Sequence, residues 1–515
     1  MSTPDRIATE ALRALANADA LRTVDLAFAR LLRDRLAAVP EVQLAGALAM
    51  RAVGLGHSGF TLASAGTLVA ALEADVPLPP VDAWAAALRD SACVATRITH
   101  ATEAWLCFEH GVVALGRYAR YEQQLADALR ARAAVREPVA AADVADHVRT
   151  LFPAVGDGVL DRQALAAVMA LRRRLLLLTG GPGTGKTTTV ARLLALRIAL
   201  AHARGATAPR IALAAPTGRA AVRMAEAIDG VLMADVAAGR IDAAVAQAVP
   251  REASTVHRLL GAKRDGVSFH HGADAPLPHE VVLVDEASMI DLPLMAKLVS
   301  AVSPEATLVL MGDPDQLPAV EAGDVLGALC GASGDGIALP AADAAWATEA
   351  LGTPVPVGQH AAPLAGRRVH LLRGWRQAGA EALQAAAAAV QQGDAAALQA
   401  ACEAGNDALQ WRHGDVAALA AWLEHHALPH FRAVADAPDP ATALRRAAAM
   451  RILAALRRGA WGATQWDAWC CTRLGGRDPW FHGRLVAITT NSPRHRLANG
   501  DIGVVWHETP GNPAV

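Results

Sequence analysis

Residues 180–188 read Gly180-Gly181-Pro182-Gly183-Thr184-Gly185-Lys186-Thr187-Thr188, a glycine-rich run that closes on a lysine and hydroxyl residues. The first eight fit G-x-x-x-x-G-K-[ST], the pattern of a loop that holds phosphate. Glycines let the backbone curl until successive N–H groups face an anion, and the start of the following helix adds a favourable dipole. In such a loop Lys186 reaches the β- and γ-phosphates of ATP, and the Thr187 hydroxyl holds Mg2+. Lysine is scarce in this chain, occurring at Lys186, Lys263 and Lys297 alone, so a chance match is rare.

Two further stretches carry groups that such a site needs. Val281-Val282-Leu283-Val284 ends in Asp285 and Glu286, where one carboxylate can hold the Mg2+ shell and the next can orient and deprotonate water. Ala306 to Leu310 runs into Gly312-Asp313-Pro314-Asp315-Gln316-Leu317-Pro318, which puts Gln316 just past a strand end. A glutamine there can accept from water and donate to a γ-phosphate at once.

The elements that must position these groups follow from the pattern. From about residue 150, short apolar runs (Leu175–Leu178, Ile211–Ala214, Val281–Val284, Leu308–Leu310) alternate with helical stretches, such as Thr188 to Leu200 after the loop. Fully apolar short strands between helices predict a parallel sheet covered on both faces. Residues 1–135 read as an all-helical domain, with the only two tyrosines in Arg117-Tyr118-Ala119-Arg120-Tyr121-Glu122 on a helix ending near Arg136. Residues 150–345 form the first α/β domain. Residues 331–366, rich in Gly, Ala and Pro, read as a connector to a second domain over 366–515. Helices are expected there over Gly379 to Gln392 and Ala441 to Arg458. The segments Leu485–Thr489 and Ile502–Trp506 flank an Asn499-Gly500 turn pair.

Composition bounds the partners. At 515 residues, with 19% charged residues, the chain suits two to four ordered domains. A net charge of −2 excludes binding of nucleic acid by a global basic field, so DNA must lie in a local groove. No apolar stretch is long enough for a membrane span, and the polar start has no secretory pattern, so a cytoplasmic location is expected. The six cysteines form no CxxC pair and read as reduced structural thiols.

Taken together, the 180–189 loop, Ala215-Pro216-Thr217-Gly218-Arg219-Ala220-Ala221, Thr255-Val256-His257-Arg258-Leu259-Leu260-Gly261, Val284-Asp285-Glu286-Ala287-Ser288-Met289 and 312–318 resemble superfamily 1 helicases. The likeness is strongest to the alpha (RecD-type) subunits of bacterial exodeoxyribonuclease V. Leu456–Gly462, Asn499–Gly503 and the helical N-terminus around Tyr118–Glu122 are similar to those subunits too. The resemblance implies RecA-like P-loop NTPase motor domains, preceded by a helical domain that docks the other two subunits of a heterotrimer. It implies an ATP-dependent, 5′ to 3′ DNA helicase subunit of a helicase/nuclease complex acting in double-strand break repair and homologous recombination. It further implies that Gln163, 23 residues before Lys186, reads adenine, and that Arg376 reaches the γ-phosphate, with Arg373 the competing choice. Pro216, Thr217, Arg219, Thr255 and His257 are then contacts to single-stranded DNA. Taken alone, Thr255 and His257 are more often a helix cap and a surface histidine. Trp461, Trp466, Trp469 and Trp480 can stack on bases or pack a core.

Two motifs that such motors carry after the turn pair, a Thr-Val-His-Lys-Ser-Gln-Gly run and one with a further arginine, do not occur in these 515 residues. The expectation for this stretch by itself is a truncated chain that binds ATP and Mg2+, hydrolyses ATP slowly and does not unwind DNA alone. Two other readings compete. One is a regulatory or assembly subunit with a degenerate motor. The other is a different superfamily 1 motor, such as a conjugative helicase, which leaves the N-terminal region unexplained.

Overall fold

The structure is a computed structural model. It describes the chain except residues 1–2, 70–75, 100–102, 154–158, 266–267, 359–361, 373–380, 405–408, 476–477, 491, 496, 498, 510–511 and 515. The chain forms two compact units, Met1–Arg376 and Gln377–Val515.

The N-terminal region is mainly helical, as expected, with helices Thr3–Asn17, Thr23–Leu36 and Pro40–Gly54 packed around Leu15, Leu32, Leu48 and Trp84. It is not all-helical. Strands β1 (Gly59–Thr61), β2 (Val94–Ala95), β3 (Leu106–Glu109) and β4 (Val112–Leu115) make a sheet in the order β1-β4-β3-β2. Its hairpin turns on His110 (φ 52°) and Gly111 (φ 78°), the two positive values that a two-residue turn requires.

The helix Gly116–Ala134 ends where expected, but it packs on the central sheet. Its Tyr118, Leu125 and Leu129 join a core with Leu175, Leu177, Val282 and Leu310. Arg132, buried near its end, donates to the carbonyls of Val302 (2.9 Å), Ser303 (3.0 Å) and Ala306 (2.5 Å). Those carbonyls follow helix Leu292–Ala301, where a cation complements both the free oxygens and the dipole.

The central sheet holds β5 (Leu175–Gly180), β6 (Ile211–Ala215), β7 (Ser254–Thr255), β8 (Val281–Val284), β9 (Thr307–Gly312) and β10 (Arg368–Leu371). All neighbours are parallel, in the order β10-β5-β9-β8-β6-β7. Every residue of β5, β6, β8 and β9 is buried, because helices cover both faces.

The strand at 368–371 lies beside β5, so the boundary expected at 366 falls after this strand. The 331–366 connector is also more ordered than its composition suggests. Helix Ala341–Leu351 lies within it, fixed by Trp346 Nε1 donating to the Val139 carbonyl at 2.8 Å. Asp343 on that helix is fully buried and pairs with Arg173, with Arg172 at 3.3 Å and with Arg367 at 3.4 Å.

In the second unit, helices Glu381–Gln392, Ala395–Glu403, Val416–His426, Leu428–Ala435, Pro440–Ala448 and Ala463–Gly475 precede β11 (Leu485–Ala487) and β12 (Ile502–Val504), an antiparallel pair. The Asn499-Gly500 turn lies between them, with Gly500 N–H donating to the Ile488 carbonyl at 2.7 Å. A short pair, β13 (Trp506–Thr509) with β14 (Asn512–Ala514), completes the unit. The helix read over Ala441 to Arg458 stops at Ala448. For 366–515 the sequence predicts an incomplete RecA-like domain that ends in a hairpin region, and among the described residues the strands of this unit form antiparallel pairs only. The parallel strand in that span, β10, pairs in the first unit, and five of the helices named above occupy most of the described residues between Glu381 and Ala448. Among the described residues no helix is long and apolar enough to cross a membrane.

Candidate nucleotide and DNA site

Parallel topology gathers groups that are far apart in sequence. β5, β9 and β8 are consecutive in the sheet, so the segments after Gly180, Gly312 and Val284 leave one edge side by side. The outer side of the C-terminal ends of parallel strands is where open α/β sheets bind ligands.

After β5 the chain turns through Gly183 (φ 77°) and Gly185 (φ 89°) into helix Lys186–Ala203, which starts two residues earlier than the sequence suggested. Lys186 Nζ folds back on the loop and donates to the carbonyls of Gly180 (2.5 Å) and Gly181 (3.1 Å). The Thr184 hydroxyl donates to the Gly181 carbonyl at 2.8 Å and braces the turn. Thr187 and Thr188 are partly exposed on the first helical turn, while Thr189 is buried and donates to the Gly185 carbonyl.

Asp285 and Glu286 stand at the end of β8, beside the loop. Burial raises the pKa of Asp285, opposed by the Glu286 N–H and by Lys186. Burial also raises Glu286, reinforced by the Asp285 charge and opposed by Lys186. Two carboxyls pushed up by desolvation and pulled down by one lysine are arranged to be neutralised by a cation. A hydroxyl (Thr187) and a carboxylate (Asp285) are hard oxygen donors of the kind Mg2+ takes, so the residues fit that ion. Gln316 Nε2 donates to Asp313 Oδ2 at 3.2 Å, and the nearly buried Asp313 also accepts from Asp315 N–H at 3.1 Å.

Gln163 lies on the first turn of helix Arg162–Arg172 and reaches the phosphate loop, with Nε2 donating to the Thr184 carbonyl at 3.2 Å. Two supporting residues were missed in the sequence. Asp161 caps that helix by accepting from the N–H groups of Gln163 (2.8 Å) and Ala164 (3.3 Å). An Asp two residues before the glutamine was the available signal. Asp313, which holds Gln316, sits inside the motif already noted.

The DNA candidates occupy the same sheet edge at β6 and β7. Pro216 and Thr217 follow β6, and Thr255 pairs in register with Ala215. The Thr217 and Thr255 hydroxyls cap their helices, accepting from the N–H groups of Ala220 and Arg258, each at 3.2 Å. Arg219 is on the first turn of Gly218–Ala237, and the exposed His257 ring lies 5.8 Å from that of Phe269. The tryptophans divide. Trp466 is buried against Trp469, whereas Trp461 and Trp480 are about half exposed. Arg373 and Arg376 lie outside the described residues.

Comparison with known proteins supplies the family. Residues 17–111 match the family described as RecBCD enzyme subunit RecD, N-terminal domain, and residues 163–322 match an AAA domain. The chain is 38% identical to RecBCD enzyme subunit RecD of Mycolicibacterium smegmatis over 92% of its own length and 77% of that protein. The chain belongs to the RecD family. It is also 36% identical to RecBCD enzyme subunit RecD of Mycobacterium tuberculosis, over 92% of its length and 75% of that protein. A shorter match, 39% identical over 34% of this chain and 20% of the relative, is to the ATP-dependent RecD2 DNA helicase of Deinococcus radiodurans. That match covers about the length of one α/β domain.

Proposed function

We propose that this chain is the ATP-driven DNA helicase subunit of a RecBCD-type complex. The observation that carries the reading is the convergence of Lys186, Asp285, Glu286 and Gln316 on one edge of three neighbouring parallel strands, in a chain of the RecD family. Lys186 and the loop amides hold the nucleotide phosphates. Thr187 and Asp285 would hold Mg2+, which supplies charge neutralisation at the phosphates when bound. Glu286 orients and deprotonates the attacking water, and Gln316 reads the γ-phosphate from its seat on Asp313. Gln163 contacts the base, and Arg376 supplies positive charge to the transferring group. Pro216, Thr217 and Arg219, one strand from β8, and Thr255 and His257, two strands away, line the contact with single-stranded DNA, so nucleotide-driven shifts of the sheet edge reach the DNA.

The subunit moves 5′ to 3′ in a heterotrimeric helicase/nuclease, works in double-strand break repair and homologous recombination in the cytoplasm, and docks its two partners mainly through the N-terminal region. ATP hydrolysis by the chain co-expressed with its two complex partners, measured with and without single-stranded DNA, tests this. DNA-stimulated turnover that Lys186→Gln abolishes is the expected result. Turnover indifferent to that substitution overturns the reading.

A further inference from the structure

We infer that Arg162 is a positioning residue that ties the nucleotide end of the site to the C-terminal end of β10, so that nucleotide occupancy is felt in that strand. This rests on the nucleotide reading of the 180–187 loop.

Arg162 and Gln163 are consecutive on one helical turn, and their side chains serve different targets. Gln163 donates to the Thr184 carbonyl and lies against Gly185, where a Cβ would come within 2.2 Å of its Nε2. Arg162 donates through Nε to the His370 carbonyl on β10, and through its other nitrogens to the carbonyls of Ile337 (3.3 Å) and Gly336. A planar guanidinium is the side chain that can satisfy three carbonyls from one rigid fork. Burial lowers its pKa, opposed by Asp335.

The strand end it holds is pinned from the opposite side as well. His370 is in register with Thr179 and Leu371 with Gly180, the first residue of the loop. The His370 ring nitrogen Nδ1 is 3.0 Å from the Thr179 hydroxyl, and Arg368 Nε donates to the same hydroxyl at 2.9 Å. The His370 N–H donates to the Gly336 carbonyl at 3.1 Å, so the 334–337 turn is held between Arg162 and β10. A displacement of the Gln163 turn by a bound nucleotide therefore moves the fork that holds the end of β10. Asp161 makes that turn stiff, because it ties the N–H groups of Gln163 and Ala164 together.

Hydrogen exchange of the 515-residue chain with and without ADP and Mg2+ tests the link, with ADP affinity measured in parallel by a fluorescent analogue. In the unaltered chain the amides of 368–371 are expected to exchange more slowly on ADP binding, on the order of fivefold. Arg162→Ala should keep ADP affinity within about threefold and lose that ADP-dependent slowing, and Arg162→Lys should restore part of it. Gln163→Ala, with Arg162 intact, should lose it too. A brace without a coupling role would raise exchange equally in both states and leave the ADP-dependent difference intact, and that result overturns the inference. If the unaltered chain and Lys186→Gln alike show no ADP affinity, the nucleotide reading itself falls. If ADP binds and only the slowing is absent, the coupling alone falls.

Discussion

The backbone N–H of Glu286 donates to Asp285 Oδ1 at 2.8 Å, and Glu286 itself takes φ 51°, in the left-handed region that a residue with a Cβ rarely enters. The Asp285 carboxylate is thus held by the backbone of the next residue. Strained backbone of this kind persists where the surroundings over-determine it, as at a catalytic site.

Glu286→Gln removes the base and keeps shape. Nucleotide binding should stay within a few-fold of the unaltered chain, while ATP turnover falls by about 10²–10⁴. Parallel binding and turnover assays check this, and undiminished turnover would exclude Glu286 as the base.

Gly185→Ala is opposed chiefly by the backbone, while the end of the flexible Gln163 side chain can shift aside from the new methyl at small cost. The φ of 89° disfavours any side chain, and the new methyl would fall 2.2 Å from Gln163 Nε2. The left-handed conformation alone costs about 1–2 kcal/mol. ADP affinity should drop at least about tenfold, because the loop can no longer present its amides. Calorimetric titration reads the change.

Asp343 gives the molecule an acid-sensitive fastening. Burial by itself would raise its pKa, but the hydrogen bond and charge of Arg173, with Arg367 and Arg172, outweigh that and hold the carboxyl below the usual range. A depressed folded value means that the contribution is complete above the ordinary carboxylate range. It is lost as pH falls through the folded value. Asp343→Ala leaves Arg173 buried and unpaired, at a cost of about 3–5 kcal/mol. Denaturant melts at neutral pH should show that loss. The gap between the two chains should narrow at the acid end, and a constant gap would rule the linkage out.

Thr217 and Thr255 each cap a helix at the edge read as the DNA groove. Aspartate caps as well as threonine but brings a negative charge towards phosphate. Thr217→Asp and Thr255→Asp should therefore leave thermal stability nearly unchanged and weaken single-stranded DNA binding by about tenfold or more at low salt. If fluorescence anisotropy shows unaltered affinity for both, the threonines are caps alone.

Much of the site was legible because its chemistry is local. The phosphate loop, the Asp285-Glu286 pair and the apolar strands before them are short runs whose residue types answer to neighbours within a few positions, and β8 spans the residues its apolar run marked. The errors share a cause. Helix Ala341–Leu351 lay in a stretch whose glycines and prolines masked it, and it is held in place by Arg173 and Val139, some 170 and 207 residues away. The N-terminal strands are two to four residues long, too short to show a period.

By itself the sequence determined that a glycine-rich loop ending on Lys186, an acidic strand end at Asp285-Glu286 and a glutamine just past a strand end are present, since each depends on backbone geometry and residue type over a handful of positions. Tertiary structure alone decided which of them meet. The order β10-β5-β9-β8 follows from helices burying both faces of a parallel sheet. That order brings strands more than a hundred residues apart to one edge. It also hands β10 to the first unit, and it gives Arg162 a target 208 residues away. No local pattern encodes a pairing of that range, because its stability comes from burial shared across the whole sheet.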